Sequence, residues 1–215
     1  RDNTTGGSNA AFGVNALISN TTGGNNTALG VTSLYSNTTG NNNTAVGREA
    51  LRLNTASNNT AVGFCALRSN TTGTNNVAVG YNSLSANTTG CRNTAVGIKS
   101  LAANTTGCYN TAFGTETLRC NTIGANNTAL GTFALYGNTT GVCNVAIGRG
   151  SLECNTVGSN NTAVGFRSLY LNTASNNTAV GFCALRSNTS ATDNTALGWS
   201  ALKSNTTGCA NTAVG

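Results

Sequence analysis

Eight cysteines are the residues of this chain that are best suited to covalent chemistry. None lies in a Cys-x-x-Cys pair and the chain has no histidine, so the spacing of a zinc site is absent. Thiols in this number suggest disulfides and an oxidising, extracellular setting. The eight residues are Cys65, Cys91, Cys108, Cys120, Cys143, Cys154, Cys183 and Cys209.

The acidic residues do not suggest a catalytic site. There are only five, they are far apart in sequence, and no histidine is present to act as a general base. We therefore expect no enzymatic activity, no metal ion and no cofactor. The five residues are Asp2, Glu49, Glu116, Glu153 and Asp193.

A glycine recurs at nearly even spacing along the whole chain, with ten intervals of 17 residues and two of 16. A fixed short period is the signature of stacked structural repeats. We number each coil from its glycine, taken as position 0, and the two short coils skip position +10. The glycines are Gly13, Gly30, Gly47, Gly63, Gly80, Gly97, Gly114, Gly131, Gly148, Gly165, Gly181, Gly198 and Gly215.

The composition of a coil predicts two short strands and two turns. Position +4 is always Leu, +7 and +8 are Asn-Thr, +13 is Asn, +15 is Ala, and +16 is Val, Leu, Ile or Phe. The segment Asn-Thr-Ala-Val-Gly indicates one strand, and positions +1 to +5 indicate a second. Asn-Thr-Thr-Gly at +7 to +10 indicates a turn in which Gly supplies a positive φ. These elements predict an all-β, parallel β-solenoid of about 12 coils, forming a single domain over residues 1–215 without separate caps.

Stacked coils place identical residues above one another, so the asparagines at +7 are expected to form a ladder of side-chain amides. Along the strand, +13 and +15 lie on one face and +14 and +16 on the other. Small Asn and Ala suit a narrow interior, which would leave +16 outward and buried against another chain. The alternative places +16 inside. The ladder residues are Asn20, Asn37, Asn54, Asn70, Asn87, Asn104, Asn121, Asn138, Asn155, Asn172, Asn188 and Asn205.

Eight of the twelve Asn-Thr pairs at +7 are followed by Thr or Ser and so match the acceptor sequence for N-linked glycans. In the other four coils the third residue is Ala, Ile or Val, yet Asn-Thr persists. This favours a role for the pair in the turn, where Asn caps backbone groups, with glycans on some turns as the alternative.

The cysteines predict particular disulfides if coils stack. Cys108 and Cys120, and likewise Cys143 and Cys154, flank equivalent turns of consecutive coils, so these pairs are expected to bridge. The other four cysteines form two candidate pairs, Cys65–Cys91 and Cys183–Cys209, each separated by 26 residues. Free thiols or links between chains are the alternative.

The variable positions +1, +2 and +5 carry most of the charges and aromatic residues. Aromatic rings beside arginines on an exposed strand suit contacts with glycans or with another fibre, although ordinary solvated surface is the simpler interpretation. The candidate contact residues are Phe64, Tyr81, Phe166, Phe182 and Trp199. The net charge of +6 is spread thinly, and no apolar run approaches 18 residues, so we expect neither nucleic-acid binding nor membrane insertion.

A longer repeat is superimposed on the coils. Residues 53–71 are identical to residues 171–189, an offset of 118 residues or seven coils. Recent duplication of a seven-coil block explains this identity, and a superperiod that matches partner subunits along a fibre is the alternative.

Asn-Thr-Ala-Val-Gly at residues 43–47, 93–97 and 161–165, followed by x-x-Ala/Ser-Leu, resembles repeats of bacterial surface fibres and phage tail fibres. It is also similar to the shorter Asn-x-x-Ala-Ile-Gly repeats of trimeric autotransporter adhesin heads. The resemblance covers essentially the whole chain. It implies a left-handed β-roll, often trimeric, that is displayed outside the cell or virion as a stalk or adhesive surface.

These observations predict an extracellular structural fibre or filament on a cell or virion surface, with copies of the chain itself as partners, as a homo-oligomer or an end-to-end polymer. A host- or glycan-binding adhesin or tail-fibre module is the first alternative, with surface glycans as partners. Ice binding is the second, because Thr recurs at +14, although its strand neighbours do not form a second Thr column.

Overall fold

The computed structural model describes residues 5–215, and within that range the regular structure consists of short β-strands and no helix. The chain divides into two compact units, the first ending at Tyr109 and the second beginning at Asn110. Both units repeat the same coil. The strands are β1 (Ala10–Phe12), β2 (Thr27–Leu29), β3 (Thr44–Val46), β4 (Thr60–Val62), β5 (Val77–Val79) and β6 (Thr94–Val96) in the first unit, and β7 (Thr111–Phe113), β8 (Thr128–Leu130), β9 (Val145–Ile147), β10 (Thr162–Val164), β11 (Thr178–Val180), β12 (Thr195–Leu197) and β13 (Thr212–Val214) in the second.

Consecutive strands within each unit pair in parallel and in register. Thr44 of β3 lies opposite Thr60 of β4, and Thr162 of β10 lies opposite Thr178 of β11. Both of these pairs span a 16-residue coil, so the missing residue does not shift the strand register. Each coil of about 17 residues contributes one strand, and the chain is a parallel β-solenoid of about 12 coils, as the sequence predicts.

The strand residues alternate between the interior and the surface. Alanine at +15 is at most 1% exposed in β2 to β12, whereas its neighbours at +14 and +16 are half-buried or exposed. Asn at +13 is buried on the same side as Ala. The interpretation that places +13 and +15 inside and +16 outside is therefore confirmed. Only small side chains fit there because the coil is narrow.

The predicted second strand at +1 to +5 is wrong, because this segment is a run of turns. Leucine at +4 has a φ of 48 to 53° in every coil, and the residue at +2 also has a positive φ. These dihedrals turn the amides at +2 and +4 toward opposite neighbouring coils: Asn82 N–H donates to the Phe64 carbonyl of the preceding coil, and Leu84 N–H to the Ser100 carbonyl of the following one. A left-handed residue costs about 1–2 kcal/mol. Full burial of a Leu side chain contributes about 1.5–3 kcal/mol, which offsets that cost.

The two glycine positions of the coil have different explanations, and +10 is Ala191 in one coil. Gly63, at position 0, has a φ of 136°, and a Cβ there would lie 2.4 Å from the carbonyl oxygen of Gly80. Gly40, at +10, does not have the positive φ that the sequence suggests. Instead, a Cβ on Gly40 would lie 2.2 Å from the carbonyl oxygen of Ala56. The +10 glycine therefore reflects close approach between coils rather than backbone strain.

Candidate interaction face

The outward side of the strands forms a continuous surface within each unit, which we call the outer face and define by positions +14, +16 and +1. Position +14 is Thr in most strands and position +16 is always apolar. The face therefore alternates a polar and an apolar column, rather than presenting two columns of threonine.

The residues at +16, which we call the apolar column, are exposed in eight of the thirteen strands and half-buried in the other five. Leu29, Phe113 and Leu197 are 45%, 40% and 48% exposed. Isolated exposed apolar residues are ordinary, but a file that recurs in every coil is a contiguous patch, and such patches mark interaction sites.

The five aromatic residues that the sequence analysis identified all occupy position +1 and stack on one another within their unit. Phe64 and Tyr81 are parallel within 9°, with ring centroids 5.4 Å apart. Phe166 and Phe182 are 5.2 Å apart, and Phe182 and Trp199 are 5.8 Å apart. Stacking covers the facing sides of these rings, while Trp199 remains 72% exposed.

Arginines lie against the same rings. The Arg48 guanidinium carbon is 5.6 Å from the centroid of Phe64, and that of Arg149 is 5.8 Å from the centroid of Phe166. Cation–π contacts of this kind contribute about 0.5–1 kcal/mol at exposed sites. In these contacts an arginine of one coil covers a ring face of the next coil. The residues at +1 therefore help to hold adjacent coils together and also form part of the outer face.

Positions +2 and +5 form a polar strip beside the outer face. The Arg68 Nε donates to Glu49 Oε2 at 2.7 Å, and Arg48 Nη2 lies 3.5 Å from Glu49 Oε1. Exposed ion pairs contribute about 0–1 kcal/mol, so this cluster orders the surface more than it stabilises the fold. A shallow depression beside it is lined by Cys65, Arg68, Ser69, Asn82, Ser85 and Ala86.

All eight cysteines are free thiols in the structure, so the predicted disulfides are absent. The reason is that coils stack with like positions together. Cys143 N–H donates to the Ala125 carbonyl of the preceding coil, and Cys154 N–H to the Tyr170 carbonyl of the following one, so each faces its own position rather than the other. The structure instead brings Cys91 and Cys108 together, with Sγ atoms 3.0 Å apart. This contact uses one cysteine from each of the predicted pairs Cys108–Cys120 and Cys65–Cys91.

The environments of Cys65 and Cys154 do not favour nucleophilic chemistry at these two thiols. Burial raises the pKa of the Cys65 thiol, and the Glu49 carboxylate raises it further. Burial also raises the pKa of Cys154, beside Glu153. Because the thiolate is the reactive form, both groups are weak nucleophiles near neutral pH.

The asparagines at +7 form a hydrogen-bonded ladder in the interior. Asn87 Nδ2 donates to Asn70 Oδ1 at 2.8 Å and to the Gly90 carbonyl at 2.9 Å, and Asn87 Oδ1 accepts from Asn104 Nδ2 at 2.8 Å. Both amide hydrogens and the oxygen thus have partners, as burial requires.

A second ladder runs through the asparagines at +13, which are also invariant in the sequence. Asn76 Oδ1 accepts from the backbone N–H of Asn93 at 3.0 Å, and Asn76 Nδ2 donates to the Gly90 carbonyl at 2.9 Å. Asn87 donates to the same carbonyl. The two ladders therefore meet at the +10 carbonyl, and the invariance of Asn at both positions was the signal for them.

The short coils weaken the +7 ladder on the side of the preceding coil. Asn54, which begins the turn of the first short coil, reaches Asn37 Oδ1 only at 3.4 Å. In the second short coil the equivalent contact is lost, and the buried Oδ1 of Asn155 has no hydrogen-bond partner. On the other side of the first short coil, Asn54 Oδ1 accepts from Asn70 Nδ2 at 2.7 Å and from Asn59 Nδ2 at 3.3 Å. Omitting one residue from the turn therefore redistributes the interior hydrogen bonds at that level.

Threonine at +8 explains why the Asn-Thr pair persists without the acceptor sequence. Thr88 Oγ1 donates to the Thr105 carbonyl at 3.1 Å, and the N–H groups of Thr88, Thr89 and Gly90 lie 2.9–3.3 Å from the same oxygen. Asn87 is fully buried. The pair is thus held by the coil itself, and a glycan on the interior amide has no space in the folded chain.

Within residues 5–215, no cluster of three potential metal-ligating side chains occurs. The described part of the chain also contains no helix that is long and apolar enough to cross a membrane. No protein family model matches the sequence, and no curated protein sequence is significantly similar to it. The geometry of the outer face is therefore the basis for assigning a function.

Proposed function

We propose that the chain is a structural segment of an extracellular fibre on a cell or virion surface, and that copies of it associate side by side through the outer face. The observation that carries this proposal is the apolar column: position +16 is apolar in all thirteen strands and points outward. Burial contributes about 25 cal/mol per Å² of apolar surface, so a file repeated in every coil can stabilise a lateral contact.

Other features support a structural role. The coil interior consists of Leu, Ala, two amide ladders and a small residue (Ala, Ser or Thr) at +3. Nearly every coil repeats this interior, which indicates that the invariant positions serve coil stacking. The acidic residues are dispersed in the sequence, and two of them are paired with arginines: Glu49 contacts Arg48 and Arg68, and Glu116 contacts Arg119. The sparse charge suits a partner that is another copy of the chain better than a polyanion.

Lysine substitutions in the apolar column test the proposal. We expect Leu29→Lys, Leu130→Lys and Leu197→Lys together to convert assembled material into single chains, because each change puts a desolvated charge in the lateral contact. Sedimentation velocity and electron microscopy measure the assembly state, and circular dichroism checks that the fold persists.

The matched control adds the same charge on a different side of the coil. Thr22→Lys, Thr140→Lys and Thr207→Lys change exposed residues at +9, away from the outer face. This triple variant should assemble like the parent. Equal dissociation of both variants would point to a general effect of charge, and an unassembled parent chain would remove the proposal altogether.

Adhesion to surface glycans is a second candidate, which the +1 aromatic residues favour because they lie on the outer face beside arginines. Replacing Phe64, Tyr81 and Trp199 with Ala should then abolish binding to an immobilised glycan panel while leaving assembly intact. Loss of assembly without any glycan binding by the parent would exclude this candidate.

A further inference from the structure

Cys91 and Cys108 form a direct thiol–thiol contact in the first unit. Both occupy position +11, one coil of 17 residues apart, and their Sγ atoms lie 3.0 Å from each other. The backbone N–H of Cys91 also donates to Cys108 Sγ at 3.0 Å. Neither thiol is fully buried, so a small reagent in solution can reach them.

The coil geometry suits a disulfide at this place. Neighbouring parallel chains in a sheet lie about 4.8 Å apart. Residues at the same position of adjacent coils therefore fall within the Cα separation of about 4.4–6.8 Å that a disulfide spans. The sulfurs need to approach each other by only about 1 Å to reach the bonding distance of about 2.05 Å.

The geometry points to Cys91 and Cys108 as a site of reversible oxidation that links two consecutive coils, with a small-molecule disulfide as the oxidant. One thiol loses its proton and attacks a sulfur of the oxidant, which forms a mixed disulfide and releases one small thiol. The second thiolate then attacks the protein sulfur of that mixed disulfide, which forms the Cys91–Cys108 bond and releases the other small thiol. The two electrons and two protons leave on the released thiols.

This linkage differs from every pair that the sequence spacing suggested, because it joins identical positions of adjacent coils. It closes a short loop of the chain, which restricts the unfolded state and stabilises the stacked coils. The linkage depends on the stacking of coils and not on the proposed fibre function. An experiment that overturns one of these two proposals therefore does not overturn the other.

Peptide mapping identifies the linkage directly. The folded chain is incubated with glutathione disulfide at pH 8, the remaining thiols are alkylated, and trypsin is added. Cleavage after arginine and lysine places Cys91 in residues 69–92 and Cys108 in residues 100–119, each as the only cysteine of its peptide. We expect these two peptides to appear joined in non-reduced samples and separate after reduction.

Thr192→Cys provides a matched control at the other end of the chain. Thr192 lies one coil before Cys209, and its N–H is 3.5 Å from Cys209 Sγ, which parallels the arrangement at Cys91. In this variant residues 187–203 should also become joined to residues 204–215. Oxidation of the urea-unfolded chain should instead give many pairings.

Thermal unfolding supplies the second measurement. Oxidation should raise the melting temperature of the parent chain by roughly 6–12 °C. Cys108→Ser should abolish both this rise and the joined peptide. The inference is overturned if Cys91 and Cys108 are recovered alkylated after oxidation of the folded chain, or if either is joined mainly to another cysteine.

Discussion

Asn87→Asp should destabilise the first unit by about 3–5 kcal/mol at pH 7, although it changes one NH₂ group to an oxygen. The Asn87 amide donates to Asn70 Oδ1 and to the Gly90 carbonyl, so the introduced carboxylate would face two oxygens without a hydrogen between them. A buried charge that lacks a compensating partner typically costs this much. Chemical denaturation followed by circular dichroism measures the loss.

The pH dependence of this variant distinguishes charge from shape. Burial and the two facing oxygens raise the pKa of the introduced carboxyl above its unfolded value of about 3.9. The protonated form is then favoured in the folded state, so the charge penalty is absent below about pH 3.9 and grows as the pH rises above it. A penalty that is equal at pH 3.5 and pH 7 would contradict this account.

Asn75→Asp is the matched control, because Asn75 lies on the exposed turn at +12 and makes no ladder contact. Surface substitutions of this kind usually change stability by no more than about 0.5 kcal/mol. If both variants were destabilised equally, the ladder would not be the source of the effect.

Gly63→Ala should destabilise its unit by about 3 kcal/mol or more. The backbone of Gly63 has a φ of 136°, which L-residues avoid, and the added methyl would lie 2.4 Å from the Gly80 carbonyl oxygen. Strained dihedrals cost on the order of 1–3 kcal/mol, and the overlap with a rigid backbone atom of the next coil adds to that. Urea unfolding of purified protein gives the free energy of unfolding.

Gly7→Ala serves as its control, because a Cβ at Gly7 meets no atom within 4 Å and the backbone there has no positive φ. This variant should keep or slightly increase stability, since alanine restricts the unfolded chain more than glycine. Similar losses in both variants would indicate a general sensitivity to glycine replacement rather than a close approach between coils.

The sequence predicted the features that depend on residue size and period. Ala at +15 and Asn at +13 recur because small side chains suit the inner side of the strands, and the outward direction of +16 follows from strand alternation. The sequence did not predict the turns at +1 to +6, because a Leu with positive φ contradicts its intrinsic preference. Leu84 adopts that conformation because it buries its side chain and bonds to the next coil, and these are tertiary effects.

The cysteine contact shows where reasoning from spacing failed. Sequence spacing predicts pairs of cysteines across a turn, whereas stacking in register joins like positions, and Cys91 and Cys108 are one full coil apart. The stacking of the aromatic rings at +1 could not be predicted from the sequence either. Whether such rings stack depends on how side chains pack between coils. Phe166 and Phe182 stack within 13° of parallel.

The complete burial of Asn87 in the coil limits the hosts in which the chain can be produced. A eukaryotic secretory host transfers oligosaccharides to nascent chains, before any amide is buried, and would modify asparagines that the folded coil needs unmodified. Because Asn87 uses both amide hydrogens inside the coil, a sugar there would hold the coil open. We expect chains secreted from such a host to misfold and to be rescued by tunicamycin, whereas Asn42, exposed and followed by Asn-Thr, could carry a sugar harmlessly.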